Sequence, residues 1–288
     1  MAMQSLVSTE WLAAELGAAD LVILDASAHL PDAGRDPAAE FVAAHIPRAR
    51  YLNLAALIDP DSPVPSAIPT AMQFTERMQA LGVNQEDRVA IYDDSAVKTS
   101  ARAWFIARLY GMRNVAILDG GLGKWRAEGR PMESGAAAAD IPRGNFEVCE
   151  GFGTVRSKAD MLANIASRAE QVADARGAGR FTGEEPDFRP GVPSGHIPGS
   201  RNLPFGKVMN EDGTFRDEAG IHAAFASAGI DLDRPVATTC GGGVTAAVLL
   251  FAMDRLGKQD VSLYDGSWSE WAMDPDVPKA TGEPEPAA

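Results

Sequence analysis

Apolar residues along this chain come in short runs. Leu21-Val-Ile-Leu24, Val89-Ala-Ile-Tyr92 and Val115-Ala-Ile-Leu118 are each followed at once by an aspartate: Asp25, Asp93 and Asp119. Continuous apolar runs of four, bounded by polar residues, predict buried strands of a mostly parallel sheet. Between them apolar positions recur at helical spacing. Ser8 predicts the N-cap of a helix to Leu16, and Asp36-Pro37 the cap and first position of another that ends at His45-Ile46-Pro47. Thr70 with Gln73 predicts a capping box for a helix to Leu81. Ala101 to Tyr110 predicts a helix stopped by Gly111, and Asp119-Gly-Gly-Leu-Gly-Lys-Trp125 starts the next one.

Gly129 to Glu150 is rich in Pro, Gly and Ala and weakly periodic, so it predicts a linker. Beyond it the order of elements repeats. Ser157 opens a helix to about Arg168, and Gln171-Val-Ala173 is a strand into Asp174. His196-Ile197-Pro198 answers His45-Ile46-Pro47, and Asp217 to Ala228 is helical. The strand Val236 to Thr239 runs into Cys240, the helix Val244 to Leu256 ends at Gly257, and Val261 to Tyr264 is a further strand. Asp265-Gly-Ser-Trp-Ser-Glu-Trp271 answers Asp119 to Trp125, and Met273 to Ala288 predicts a loose tail. The chain is an internal duplication of an α/β unit, each copy a mostly parallel sheet flanked by helices. The expected boundaries are residues 1–130, a linker over 131–156, and residues 157–288. Ligands of such sheets sit at the carboxyl ends of the strands, where Asp93 and Cys240 fall.

Charge narrows the partners. A formal net charge of -14 argues against nucleic acid or an anionic membrane, so an anionic substrate needs a local basic cluster. Two cysteines exclude a disulfide scaffold and fit a reducing compartment. Met1 to Glu10 has no signal-peptide pattern and no run nears 18 apolar residues, so the expected location is the cytoplasm. Four histidines without metal-type spacing predict no metal site, and no cofactor is expected. His45 and His196 read as turn residues bonding backbone, Asp93 and Asp265 as turn formers, and Asp174 as a loop anchor. Trp268 and Trp271 read as packing residues, and Cys149 as buried and inert.

The chemistry concentrates at Cys240-Gly241-Gly242-Gly243-Val244-Thr245. A cysteine between a strand end, a glycine loop and a helix N-terminus lies among unpaired backbone N–H groups, which favour negative charge. A thiolate is a nucleophile. Three other readings compete. A lone cysteine is usually core. Gly241 to Ala246 also fits a dinucleotide G-x-G-x-x-A loop, but too little chain follows to complete that fold. A cysteine phosphatase loop needs an arginine where Ala246 stands.

In sum of its motifs the chain resembles the two-domain rhodanese family. The motifs are the strand ends Asp25-Ala-Ser27 and Asp174-Ala-Arg176, the two His-Ile-Pro turns, the Asp-Gly segments ending in Trp125 and Trp271, and the Cys240 loop. The resemblance implies two tandem rhodanese-like domains, the second catalytic and the first not. It implies a cysteine that takes a sulfane sulfur from a small anionic donor, becomes a persulfide, and passes the sulfur to a thiol, a thioredoxin-like protein or cyanide. Thiosulfate-type members resemble C-R-K-G-V-T. The uncharged Gly241 and Gly242 are closer to the 3-mercaptopyruvate type, C-G-S-G-V-T, with glycine replacing its serine. Arg180 and Arg189 fall where that type binds the carboxylate and keto oxygens of its substrate, and planar guanidinium forks suit a carboxylate. Ala55 and Ser66 stand where such members can carry an Asp and a His, so no general base is assigned. The alternative of another class is a non-catalytic sulfur carrier or nucleotide-binding module.

Overall fold

The Leu21, Val89 and Val115 runs are strands because both their faces are covered. Residues 22–24, 89–91 and 115–118 are all buried, which suits β-branched side chains on a sheet with helices on either side. The structure is a computed structural model and describes residues 3–136 and 140–284. In the first half the strands are β1 (Leu6–Val7), β2 (Leu21–Asp25), β3 (Arg50–Tyr51), β4 (Arg88–Tyr92) and β5 (Val115–Leu118), in the sheet order β1-β5-β4-β2-β3. The helices are α1 (Thr9–Glu15), α2 (Pro37–Ala43), α3 (Ala71–Ala80), α4 (Thr99–Leu109) and α5 (Gly121–Ala127).

The second half repeats this with β6 (Thr154–Arg156), β7 (Gln171–Asp174), β8 (Ser200–Asn202), β9 (Val236–Thr239) and β10 (Val261–Tyr264), in the order β6-β10-β9-β7-β8. Its helices are α6 (Lys158–Ser167), α7 (Ala178–Thr182), α8 (Glu218–Ser227), α9 (Ala246–Arg255) and α10 (Ser267–Trp271). Every strand pair in both sheets is parallel, and β9 is central, between β10 and β7. The two orders are the same topology read twice.

The expected caps are in place. Ser8 accepts from Trp11 N, Asp36 from Ala38 N and Ala39 N, and Thr70 with Gln73 closes a reciprocal box. Ser157 and Asp160 form a second box at α6.

The contacts gather into two units. One holds Met1–Pro60, Ile68–Phe152 and Glu211–Phe215; the other holds Asp61–Ala67, Gly153–Asn210 and Arg216–Ala288. The stretch read as a linker carries more structure than its composition suggests. Phe146 is buried in the first unit, edge-on to Phe74 at 5.7 Å, and its N–H donates to Val83 O. Thr154 to Arg156 forms β6.

Two expectations are corrected. Cys149 is exposed, because Phe146 rather than the cysteine turns inward there. The Pro/Glu/Ala-rich end is not loose over its described part. Ala280 exchanges two backbone hydrogen bonds with His196, Pro278 O accepts from Trp271 Nε1 at 2.9 Å, and Val277 is buried. Residues 285–288 lie outside the described residues.

Candidate active site

Cys240 follows the last residue of central strand β9, and α9 begins six residues later. The cysteine is buried at 2% exposure, deeper than a residue at the mouth of the unit. Its surroundings are nonetheless polar. Cys240 N donates to Ser267 Oγ at 3.2 Å, and Trp268 N donates to Cys240 O at 3.0 Å. Ser269 N donates to Gly241 O at 2.9 Å. Ser267 stands at φ 50°, in the left-handed region, and its hydroxyl donates to Tyr264 O at 2.9 Å. The start of α10 therefore pins the loop by its carbonyls. With the carbonyls turned toward α10, the amides of Gly241, Gly242, Val244 and Thr245 donate to no acceptor among the described residues. Gly241, Gly242, Val244 and Thr245 form a half-buried rim, while Gly243 is buried at φ 78°. Thr245 occupies the N-cap position of α9, but its hydroxyl makes no capping bond.

The first unit shows what such a loop does with negative charge. Asp93 follows β4 as Cys240 follows β9, and both are followed by six residues before Ser100 and Ala247, the second residues of α4 and α9. Asp93 Oδ1 accepts from Ser95 N and its Oδ2 from Ser100 N, both at 2.8 Å. The loop amides of the first copy thus hold a carboxylate built into the chain. In the second copy Gly242 stands at the register of Ser95, and Cys240 at that of Asp93.

Arg180 and Arg189 come together over one aromatic ring. The guanidinium carbons lie 5.5 and 5.3 Å from the centroid of Phe188, within cation–π range. Arg189 also reaches the cysteine loop, its Nη1 donating to Gly241 O at 2.6 Å. Its Nε and Nη2 donate to Asp187 at 2.8 and 2.7 Å. Three of five guanidinium N–H groups are thereby used. One on Nη1 and one on Nη2 have no acceptor among the described residues. The Asp187 carboxyl lies below its ordinary range: burial pushes it up, but the Arg189 hydrogen bonds and the positive charges of both arginines outweigh that. Arg180 acts on Asp187 through its charge, with no hydrogen bond to that carboxylate. A Cβ at Gly241 would stand 3.4 Å from Arg189 Nη2, an ordinary contact distance that puts the guanidinium against the loop.

The cysteine loop, pinned by α10, lies after the central strand of the second of two parallel sheets of one topology. A family model described as the Rhodanese-like domain matches residues 8–128 and 157–274. The chain belongs to the rhodanese family. It is 37% identical over 294 residues to the Arabidopsis thaliana thiosulfate/3-mercaptopyruvate sulfurtransferase 1, covering 96% of this chain and 78% of that protein. It is 36% identical over 273 residues to the Escherichia coli 3-mercaptopyruvate sulfurtransferase, covering 94% and 96%. The crystal structure of SseA from Escherichia coli, a 3-mercaptopyruvate enzyme, matches at a TM-score of 0.82 with 35% identity, covering 93% of this chain and 100% of that one.

The other residues singled out in the sequence pack or bond within their own units. His45 and His196 are buried, stacked on Phe41 and Phe181, and each ring Nδ1 bonds the carbonyl of its stacking partner, at 2.7 and 2.9 Å. Asp174 pairs with Arg176, both fully buried, at 2.6 Å. The Arg176 guanidinium lies 4.7 Å from the Trp268 ring, and Trp268 and Trp271 belong to the core of the second unit. Ala55 sits in a 3-10 turn of the first unit, and Ser66 is exposed at φ 58° in the segment that clusters with the second. Among the described residues no group of His, Cys, Asp and Glu is arranged to hold a metal ion.

Asp187, Phe188 and Ser267 escaped the sequence reading as members of the site. Asp187 carried a signal: Asp187-Phe-Arg189 repeats the Asp-x-Arg spacing of Asp174-Ala-Arg176, and in both the aspartate accepts from the backbone N–H and the guanidinium two residues on. Ser267 carried none, because its part depends on a left-handed backbone.

Proposed function

We propose that this protein is a sulfurtransferase that moves a sulfane sulfur from 3-mercaptopyruvate through a Cys240 persulfide to a thiol, a thioredoxin-like protein or cyanide. The observation that carries the reading is the contact between clamp and loop: Arg189 Nη1 on Gly241 O, one residue from the thiol. A guanidinium fork suited to carboxylates beside a cysteine supports one small donor site. The names of the E. coli and Arabidopsis relatives support the same activity.

The Cys240 thiolate attacks the donor sulfur. The carbon–sulfur bond breaks, its electron pair leaves with the pyruvate enolate, and a solvent proton completes pyruvate. The persulfide anion is held by the unpartnered amides of Gly241, Gly242, Val244 and Thr245, in the manner of an oxyanion hole. Gly243 supplies the turn. Arg180 and Arg189 orient the donor through the N–H groups that Asp187 and Gly241 leave open. An acceptor thiolate then takes the terminal sulfur and restores the Cys240 thiolate. The catalytic domain is the C-terminal one, and the N-terminal domain has no cysteine at the matching strand end. No metal or organic cofactor takes part. Two unpaired cysteines suit a reducing compartment, and the cytoplasm is the proposed location. No helix among the described residues is long and apolar enough to cross a membrane.

Intact-mass spectrometry after donor treatment tests this. A gain of one sulfur that disappears in Cys240→Ser and on adding a thiol is expected. No gain, with measurable nucleotide affinity, would make the protein a binder instead. Thiosulfate is the second donor, because the Arabidopsis relative is named for both. The uncharged Gly241-Gly242 pair predicts faster turnover with 3-mercaptopyruvate, and Arg189→Ala should slow that donor most.

A further inference from the structure

One aromatic ring of the second unit is left in water. Phe188 is 44% exposed, while every other Phe, Trp and Tyr among the described residues is buried or half-buried. What the Phe188 ring touches is charge. The guanidinium carbons of Arg180 and Arg189 lie 5.5 and 5.3 Å from its centroid, within cation–π range. The two cations are no further apart than the sum of those distances, so they repel one another and need something to keep them together.

The two arginines are held in different ways. Arg189 is tied by hydrogen bonds, its Nε and Nη2 to Asp187 at 2.8 and 2.7 Å and its Nη1 to Gly241 O at 2.6 Å. The Arg180 guanidinium donates to no acceptor among the described residues. It has the Phe188 ring and the charge of Asp187 instead. A charge that makes no hydrogen bond attracts Arg180 without orienting it. A ring does orient it, because the negative face of the π system favours a cation above it. A ring also holds the cation without consuming a donor, as a carboxylate partner would. All five N–H groups of Arg180 therefore stay open to a ligand, beside the two that Arg189 keeps. Asp187, Phe188 and Arg189 are consecutive, so one segment brings the ring, the counter-charge and the second fork to the Arg180 side of the loop.

We propose that Phe188 is a positioning residue that holds Arg180 beside Arg189, so that both forks bind one 2-oxo acid donor together. The role rests on the sulfurtransferase reading, and pyruvate separates the two, because it has the carboxylate and oxo groups but no sulfur to give. Pyruvate is titrated onto the full-length protein by amide chemical shifts, and 3-mercaptopyruvate kinetics and intact mass are measured beside it. Phe188→Leu keeps apolar bulk and removes the ring face. It should weaken pyruvate binding and raise the KM about three- to fivefold, the size of a cation–π contact at an exposed site, with kcat nearly held. Phe188→Tyr keeps the face and should match the parent. Phe188 is exposed, so neither variant empties a core. In the Arg180→Gln background Phe188→Leu should add little, and in the Arg189→Gln background it should keep most of its effect. A merely structural ring would give additive losses in both backgrounds. Sulfur gained on Cys240 with no difference between Leu and Tyr at position 188 would overturn the positioning role and leave sulfur transfer standing. Ring-dependent pyruvate binding with no sulfur gained would do the reverse. Pyruvate that does not saturate, or additivity of Phe188→Leu with Arg180→Gln, would also overturn the role.

Discussion

At the scale of single residues the three loop glycines do three different things. Gly243 is needed for its backbone: at φ 78° a side chain is strained whatever the space. Gly242 has an ordinary φ, and an added Cβ would meet only Ser269 Oγ at 3.7 Å, a normal contact. Gly241 lies against the Arg189 guanidinium, and an added Cβ would stand 3.4 Å from Nη2. Urea unfolding should therefore show Gly243→Ala losing about 1 kcal/mol or more and Gly242→Ser staying within about 0.5 kcal/mol of the parent. On the proposed function Asp187 is a positioning residue, since its carboxylate bonds Arg189. Asp187→Asn should raise the KM for 3-mercaptopyruvate about tenfold, roughly 1.4 kcal/mol, with kcat nearly held. Loss of kcat at constant KM would place Asp187 elsewhere in the mechanism.

At the scale of elements, the sequence was legible where a pattern had room to repeat. The five-residue β2, the ten-residue α3 with its capping box, and the apolar β9 leading to Cys240 were all visible in it. β1, β3, β6 and β8 were not, because two or three residues cannot show a period. Those strands exist because neighbouring strands offer them hydrogen bonds, a tertiary cause. The end of the chain was misread for a related reason. Its Pro- and Glu-rich composition suggests looseness, but its structure comes from bonds to distant partners. Pro278 O takes the Trp271 indole N–H, and Ala280 pairs with His196, just as Glu133 pairs with His45 in the first copy. Of the site, the cysteine loop and both arginines were visible as motifs, while their convergence on Phe188 and Gly241 needed the fold. Truncation after Ala272 removes these three hydrogen bonds, the Gly282 N–H bond to Thr182 O, the Lys158–Asp274 ion pair and the buried Val277. It should cost about 3 kcal/mol or more by urea unfolding. An unchanged midpoint would mean that the end segment is only draped on the surface.

At the scale of the whole molecule, acid response should follow the ion pairs. The Glu128 carboxyl is held down at about 2, first by Lys124 and then by Thr9 and Arg130. A depressed carboxyl contributes its stability in full above the ordinary value near 4.5 and loses it as pH falls through about 2. Glu128→Gln should thus raise the midpoint pH of acid unfolding and flatten stability between about 4.5 and 2, as followed by circular dichroism. The Asp25 carboxyl moves the other way, raised by burial, so the first unit gains rather than loses from protonating it. Duplication adds a sharper contrast. Both copies carry a strand-end loop that starts with one chemistry-bearing residue. In the first copy that residue is the Asp93 carboxylate, which accepts the buried Ser95 and Ser100 N–H groups. In the second it is Cys240, and the amides of Gly241, Gly242, Val244 and Thr245 have no acceptor among the described residues. The same backbone device supports folding in one unit and, on the proposed function, seats an anion in the other. Asp93→Ala should then cost about 1–3 kcal/mol, the penalty for buried donors left unpaired, with faster hydrogen exchange at the Ser95 and Ser100 amides. Cys240→Ala should change stability far less while ending sulfur uptake. Equal stability losses in the two variants would mean that the second loop is also structural, and would remove the reason to regard its amides as an anion seat.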